Sequence, residues 1–217
     1  MLGFYDASVN AYGSAVYLRS TNSAGITSCK LVASKTRVAP LKTISLPKLE
    51  LNAAVILVDL VNYVAHSMNL NITNYYYYSD STITLAWIRA PPTQWKTFVA
   101  NRVAHIQYLS KTQDWQYIST TENPADLLTR GVLPQDLISN KLWWNGPQSI
   151  HVTPLNKDSN IHITKLETLP EYKRTVTVSA AYSNEFLSKL ISKFSSISKL
   201  IRVITSNCLV QSILQKL

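Results

Sequence analysis

The clearest structural signal in the chain is the stretch Tyr75-Tyr76-Tyr77-Tyr78-Ser79-Asp80-Ser81-Thr82. Its four consecutive aromatic residues predict a strand that is buried on both faces, since aromatic side chains pack well on a pleated surface. The apolar spacing of residues 81–88 predicts a short helix next, so Asp80 would lie at the carboxyl end of a central strand. Open α/β sheets bind ligands at such strand ends. Asp80 is therefore either a functional carboxylate or the N-cap of that helix.

Composition predicts one globular domain with an appendage, because 46% of the 217 residues are hydrophobic and only five are glycine. The 21 Lys and Arg residues outnumber the 12 Asp and Glu residues, and the net charge of +9 favours a polyanionic partner over a merely basic surface. Cys29 and Cys208 show no metal-ligand spacing, which favours an intracellular location in cytoplasm or nucleus. We expect neither a signal peptide nor contact with a membrane, since no run of about twenty apolar residues occurs.

The residues before the aromatic stretch predict three strands and one long helix. Apolar runs at 2–8, 14–19 and 26–34 predict an antiparallel meander, and residues 35–45 are basic and irregular. Pro47 suits the first turn of a helix from about Leu46 to Ser67. The apolar residues of this helix form one stripe that would pack on the sheet: Leu49, Ala53, Ile56, Leu60 and Val64. A right-handed connection through the helix would make the first and fourth strands parallel neighbours.

After the aromatic strand, helical spacing resumes over residues 93–111 and a fifth strand follows at 115–119. Asn123 can cap a last helix that begins at Pro124 and ends at Gly131. The predicted fold class is therefore α/β, with a five-stranded mixed sheet flanked by helices. Residues 148–182 predict a linker, and residues 183–217 predict a basic amphipathic helical tail.

Four carboxylates converge in this arrangement. Asp6 ends the first strand and Asp80 ends the fourth, so the parallel pairing would place them side by side. Glu50 lies in the predicted first turn of the long helix, and Asp126 lies in that of the last helix. For Glu50 alone, a favourable position near the helix dipole is an equally good explanation.

Several motifs together resemble the ribonuclease H-like domain of a BEL/Pao-class long-terminal-repeat retrotransposon polyprotein. Four of them contain the acids: Phe4-Tyr5-Asp6-Ala7-Ser8, Pro47-Lys48-Leu49-Glu50-Leu51, Ser79-Asp80-Ser81-Thr82 and Asn123-Pro124-Ala125-Asp126-Leu127-Leu128-Thr129-Arg130-Gly131. Three more narrow the resemblance to this class: residues 37–42, 95–103 and 143–147. The resemblance covers about residues 2–147, so the predicted ribonuclease H-like domain is 1–147.

The resemblance implies a metal-dependent endonuclease that hydrolyses the RNA strand of RNA/DNA hybrids. Its acids would be Asp6, Glu50, Asp80 and Asp126, both catalytic and metal-binding, with two Mg²⁺ or Mn²⁺ ions. Carboxylates suit this chemistry because two hard cations can activate water and stabilise the leaving oxygen. Four residues are predicted to contact nucleic acid: Ser8, Arg89, Lys96 and Arg102. The three basic residues flank the helical stretch 93–111, and a solvated charged face is the alternative explanation for them.

The sequence also departs from the family pattern. Related retroviral enzymes carry a loop with glycine and histidine before the last acid, whereas residues 119–122 contain no histidine. His105 is expected to be a surface or core residue rather than a substitute. We expect the reverse transcriptase and integrase regions of the parent polyprotein to be absent. The alternative function is a non-catalytic remnant that only binds nucleic acid.

Overall fold

The computed structural model describes residues 1–151, 155, 165–173, 192–193, 196, 198–199, 201–202 and 205. The chain divides into one compact unit, Met1–Arg174, and a second unit, Thr175–Leu217. The predicted tail helix lies largely outside the described residues. Within it, the described residues 192–193, 198–199, 201–202 and 205 are helical.

The first unit is built on a five-stranded sheet with the order β3-β2-β1-β4-β5. The strands are β1 Leu2–Ala7, β2 Ala11–Thr21, β3 Thr27–Val38, β4 Tyr76–Ser79 and β5 Trp115–Tyr117. β1, β2 and β3 form an antiparallel meander, while β4 runs parallel to both β1 and β5. The predicted mixed sheet, with the first and fourth strands as parallel neighbours, is confirmed.

Six α-helices flank the sheet in the described part of the first unit. They are α1 Leu46–Met68, α2 Thr82–Arg89, α3 Thr97–Leu109, α4 Asp126–Arg130, α5 Pro134–Ser139 and α6 Lys141–Asn145. The helix predicted over 93–111 begins only at Thr97, because a 3₁₀ turn at Pro92–Gln94 and an extended Trp95 precede it. The extended backbone lets the Trp95 ring enter the core, where it is 2% exposed.

The meander strands are longer than the sequence predicts. Ala11 pairs with Val38, so β2 includes predicted turn residues and β3 includes the first part of the basic stretch 35–45. Pairing between two strands supplies the hydrogen bonds that each strand alone would lack, and this long-range gain outweighs the weak strand pattern of both segments. Lys35 and Arg37 are therefore held on a strand rather than on an irregular loop.

Helix α1 covers one face of the sheet. The predicted stripe is confirmed: Leu49, Ala53, Ile56 and Val64 are buried and Leu60 is half-buried. Gly3 permits the close approach, since a Cβ at this position would lie 2.6 Å from the Leu57 Cδ1 atom. By length and composition alone, α1 is also apolar enough to cross a membrane, a match that core helices commonly give.

The aromatic strand β4 is buried on both faces, as predicted. Tyr77 stacks on Trp115 at 4.7 Å in the core beneath α1. Tyr78 points to the opposite face and stacks on Phe4 at 5.1 Å. Because consecutive strand residues alternate between faces, the tyrosine run supplies aromatic area to both cores at once.

Residues 165–173, here called the strap, contact the first unit although they belong to the predicted linker. The Trp87 Nε1 donates to the carbonyl of Pro170 at 3.0 Å, and the rings of Trp95 and Tyr172 meet edge to face at 6.1 Å. Glu171 forms an ion pair with Lys48 at 3.0 Å. These contacts hold the strap against the corner between α2 and α3.

We expect Tyr172→Ala to lower the free energy of unfolding by about 1–2 kcal/mol, since it removes a half-buried aromatic side chain and its ring contact. Urea unfolding followed by tryptophan fluorescence measures the change. Tyr108→Ala is the matched control, because Tyr108 is 86% exposed. Equal stability of the two variants would mean that the strap adds nothing to the fold.

Candidate active site

Asp6 and Asp80 meet at one edge of the sheet, as predicted. Asp6 is the penultimate residue of β1, where it pairs with Gly13 of β2. Asp80 directly follows β4, the parallel neighbour of β1. The carboxyl ends of parallel strands share one edge, so Asp6 and Asp80 lie at the same edge of the sheet.

Asp80 is not the N-cap of α2, so that alternative is wrong. The cap is Ser81, whose hydroxyl accepts a hydrogen bond from the Thr84 amide at 3.3 Å. The carboxylate of Asp80 instead accepts from the Asn123 Nδ2 at 3.3 Å. Asp80 therefore has no capping role, and it lies beside the end of β1 that contains Asp6.

Glu50 lies in the second turn of α1, so its predicted place in the first turn is wrong. The helix begins at Leu46, and its first turn holds no acidic residue. Because the effect of the helix dipole fades beyond the first turn, it does not account for Glu50. The Glu50 carboxylate accepts a hydrogen bond from the Ser81 hydroxyl at 2.5 Å, which links α1 to the end of β4.

Asp126 begins the short helix α4, and the predicted start at Pro124 is wrong. The N-cap position is Ala125 and makes no side-chain cap bond. Asn123 lies before this N-cap position, where its Oδ1 accepts from the Ala125 amide at 3.2 Å and so holds the turn that leads into α4. Its Nδ2 donates to the Tyr5 carbonyl at 3.1 Å. The Asp126 carboxylate accepts from the Arg130 Nε at 2.7 Å.

The four acids form one electrostatic cluster. Burial raises the pKa of Asp6 from 3.8 to about 6, and repulsion from Asp80 and Asp126 adds to this, while a hydrogen bond from Thr129 opposes it. Burial raises the pKa of Glu50 from 4.5 to about 7, against a hydrogen bond from Ser81 and with added repulsion from Asp6 and Asp80. Asp6 thus interacts with all three other acids.

The donor chemistry of this cluster fits a hard divalent cation. Its ligands are carboxylate oxygens, which Mg²⁺ and Mn²⁺ prefer, and a cation would balance the crowded negative charge. Among the described residues, however, no three acidic, histidine or cysteine side chains stand in a metal-holding group. Each carboxylate is bonded to a protein donor instead: Asp6 to Thr129, Glu50 to Ser81, Asp80 to Asn123 and Asp126 to Arg130. Each of these bonds uses one oxygen of its carboxylate, and a carboxylate has about four acceptor sites, so an ion could bind beside these donors.

The four residues predicted to contact nucleic acid lie in different surroundings. Lys96 is exposed just before α3. The Ser8 hydroxyl donates to the Thr129 carbonyl at 2.8 Å, and the Arg89 Nη2 donates to the Trp115 carbonyl at 2.6 Å, so both make internal bonds. Arg102 stacks on the Phe98 ring at 3.6 Å.

Arg102 lines a groove of about 700 Å³ between α1, α3 and the end of β3. We call this the basic groove, because its lining includes five basic side chains: Lys35, Arg37, Lys42, Arg102 and His105. His105 pairs with Asp59 at 2.7 Å, and of the two predicted positions, surface or core, it occupies the surface. Tyr12 also lines the groove and pairs with Ala7, so the groove begins beside the strand end that carries Asp6.

Sequence reasoning missed the polar residues that hold the acids, namely Ser81, Asn123 and Thr129. Each lies within two or three residues of an acid in the quoted motifs, which was the available signal. It also missed Lys35, Arg37 and Lys42 as a binding surface, although the basic composition of residues 35–45 was noted.

Comparison with known proteins gives a family match for the first part of the chain. Residues 1–81 match the family model described as Pao retrotransposon-like RNaseH-like domain. This range contains Asp6, Glu50 and Asp80 and stops before Asp126. The predicted resemblance to a BEL/Pao ribonuclease H-like domain is confirmed over these residues, and with it the predicted fold class.

A solved structure similar to this chain is the N-terminal RNase H domain of rv2228c from Mycobacterium tuberculosis, determined as a fusion with maltose-binding protein. The two share 15% identity with a TM-score of 0.39, and the alignment covers 59% of this chain and 88% of that chain. No curated protein matches the chain.

Proposed function

We propose that this protein is a metal-dependent endonuclease that hydrolyses the RNA strand of RNA/DNA hybrids. The observation that supports this most strongly is the cluster of Asp6, Glu50, Asp80 and Asp126. These acids come from four separate parts of the chain, Asp6 and Asp80 follow neighbouring parallel strands, and Asp6 repels the other three. The pKa values of Asp6 and Glu50 are raised. Such clustering of perturbed carboxylates at a sheet edge is typical of a functional site.

The four carboxylates would hold two Mg²⁺ or Mn²⁺ ions, which supply an activated water and charge stabilisation for in-line attack on phosphorus. Asp6 and Asp80 lie at the adjacent strand ends, where both would help to hold the ions. Glu50 would bind on the α1 side, and Asp126 would bind on the α4 side. The hydrogen bonds from Thr129, Ser81 and Asn123 would hold the carboxylates of Asp6, Glu50 and Asp80 in place for such ions.

Nucleic acid would bind across the site and along the basic groove. The chain has a net charge of +9, and the groove gathers Lys35, Arg37, Lys42 and Arg102 on the α1 face of the sheet. Binding of phosphates by such side chains releases counterions, so affinity depends strongly on salt. This extends the predicted contact at Arg102 to neighbours on β3 and on the loop after it.

We expect Arg37→Gln/Lys42→Gln to weaken hybrid binding and to reduce the log-log salt slope by about 2, because each lost phosphate contact removes about one unit. Fluorescence anisotropy at several salt concentrations measures this. Lys141→Gln is the control, since Lys141 is an exposed lysine on α6, which packs on the opposite face. An unchanged slope in the double variant would remove the basic groove from the interface.

The proposed activity is tested with an RNA strand labelled within an RNA/DNA hybrid, incubated with the full chain and Mg²⁺. We expect cleavage of the RNA in the hybrid and none in EDTA. The second candidate function, nucleic-acid binding without catalysis, is favoured by the finding that no three acidic, histidine or cysteine side chains of the described residues form a metal-holding group. Tight, salt-dependent binding of the hybrid without any cleavage in Mg²⁺ or Mn²⁺ would support that alternative.

A further inference from the structure

Thr129 is a buried residue of α4 that contacts one of the four acids directly. It is 3% exposed, and its Oγ1 lies 2.8 Å from the Asp6 Oδ2 and 3.1 Å from the Asp126 carbonyl oxygen. A hydroxyl has one hydrogen to donate. The Asp6 carboxylate is the nearer acceptor and it is charged, so it makes the stronger bond.

The same segment is attached to β1 at two further points. The Ser8 hydroxyl donates to the Thr129 carbonyl at 2.8 Å, and the Asn123 Nδ2 donates to the Tyr5 carbonyl at 3.1 Å. Tyr5 precedes Asp6 on β1, and Ser8 directly follows the strand. The bonds of Thr129 and Asn123 therefore join the segment that contains Asp126 to the strand that contains Asp6.

Helix α4 depends on such contacts for its place. It has five residues and no side-chain N-cap bond. A helix this short is not stable by itself, because the free-energy cost of nucleation exceeds the stabilisation that one turn of hydrogen bonds provides. The position of Asp126 relative to Asp6 is thus set by tertiary bonds. Among these, the Thr129 hydroxyl supplies the bond to the Asp6 carboxylate, and Asn123 supplies one to Asp80.

We propose that Thr129 is a positioning residue whose hydroxyl orients the Asp6 carboxylate and fixes α4 beside it, and so sets the affinity of the site for a divalent cation. This inference rests on the proposed function. Carboxylates that bind metal are themselves held by hydrogen bonds, and loss of such a partner typically costs about 10–100-fold in metal affinity.

The test is calorimetric titration of Mn²⁺ into the full chain, without nucleic acid. Thr129→Val keeps the shape and removes the hydroxyl, and we expect it to bind Mn²⁺ about 10–100-fold more weakly than wild type. Thr129→Ser keeps the hydroxyl and is expected to bind close to wild type. If the valine variant does not fold, Thr129→Ala removes the same group without a branched side chain.

Thr84→Val is the matched control. Thr84 is fully buried near the site, and its hydroxyl bonds with the Tyr5 hydroxyl at 2.9 Å and the Ser81 carbonyl at 3.2 Å, but with no carboxylate. We expect this variant to lose stability and to keep its Mn²⁺ affinity. Equal weakening by Thr84→Val and Thr129→Val would overturn the inference, because general loosening would then explain both.

Two further outcomes separate this inference from the proposed function. Wild-type affinity in Thr129→Val, or a loss in Thr129→Ser as large as in the valine variant, would overturn the role of the hydroxyl and leave the function standing. Absence of Mn²⁺ binding by the wild type would overturn the proposed function itself, and this inference with it.

Discussion

Asp80→Asn is expected to abolish cleavage of the hybrid while leaving the fold in place. The substitution keeps the size of the side chain and removes the charge, at the end of the strand that lies parallel to β1. If the lost metal contact contributes about 4 kcal/mol to the transition state, the rate falls about a thousandfold. Turnover of a labelled hybrid in Mg²⁺ measures this effect.

The design of that experiment separates chemistry from folding and binding. Circular dichroism and hybrid anisotropy of Asp80→Asn should match wild type within a small factor. Asp136→Asn is the control, since Asp136 is an exposed acid on α5. Full turnover by Asp80→Asn, in a preparation whose wild type is active, would show that Asp80 is not catalytic.

The second large effect is on stability in the absence of metal. Asp6 is 8% exposed, and its pKa is raised from 3.8 to about 6, mainly by burial. In the folded state Asp6 therefore keeps a proton that the unfolded chain has already lost between about pH 4 and pH 6. Wild-type stability must fall as pH rises through this window, because the folded state binds more protons. Glu50 adds to the fall up to about pH 7.

We expect Asp6→Asn to raise the free energy of unfolding by about 1–3 kcal/mol at pH 8 in EDTA, since one pKa unit corresponds to about 1.4 kcal/mol. At pH 4 the variant and wild type should differ much less. Urea unfolding at both pH values gives the comparison. A variant that is no more stable than wild type at pH 8 would mean that Asp6 is not held in a repulsive cluster.

Much of this site is predictable from local sequence. The tyrosine run fixes β4 and the position of Asp80, and the apolar stripe fixes the face of α1 that packs on the sheet. One topological rule, the right-handed connection through α1, then brings Asp6 and Asp80 together. Each of these inferences needs only residues that are close in the chain.

The parts that sequence did not predict depend on distant partners. Asn123 looks like a helix cap, and its Oδ1 does bond with the Ala125 amide in the turn before α4. Its Nδ2, however, bonds with the Tyr5 carbonyl, which is 118 residues away. The strap has the composition of a linker, yet Pro170 accepts a bond from Trp87 at a separation of 83 residues. A local sequence pattern carries no information on such distant partners. From sequence alone, Asn123 is therefore interpreted as a helix cap and the strap as a linker.

The basic groove was missed for the same reason. Lys35 and Arg37 become part of one surface with Arg102 only because β3 extends to Val38 by pairing with β2. The basic residues weaken the strand pattern, so the sequence predicts a β3 that is shorter than the observed Thr27–Val38. The predicted contact at Arg102 therefore identifies one side of the basic groove. The residues on the other side, Lys35 and Arg37, are not predicted as part of it.

The central claim, that four acids form one cation site, is tested most directly by the melting temperature of the wild type with and without saturating Mn²⁺. An ion that binds only the folded state at a hundred times Kd adds about 2.7 kcal/mol of stability. For a chain of this size, that corresponds to a rise of about 5–10 °C. Asp6→Asn/Asp80→Asn should lose most of the rise. A folded wild type whose melting temperature does not move in saturating Mn²⁺ would contradict the claim.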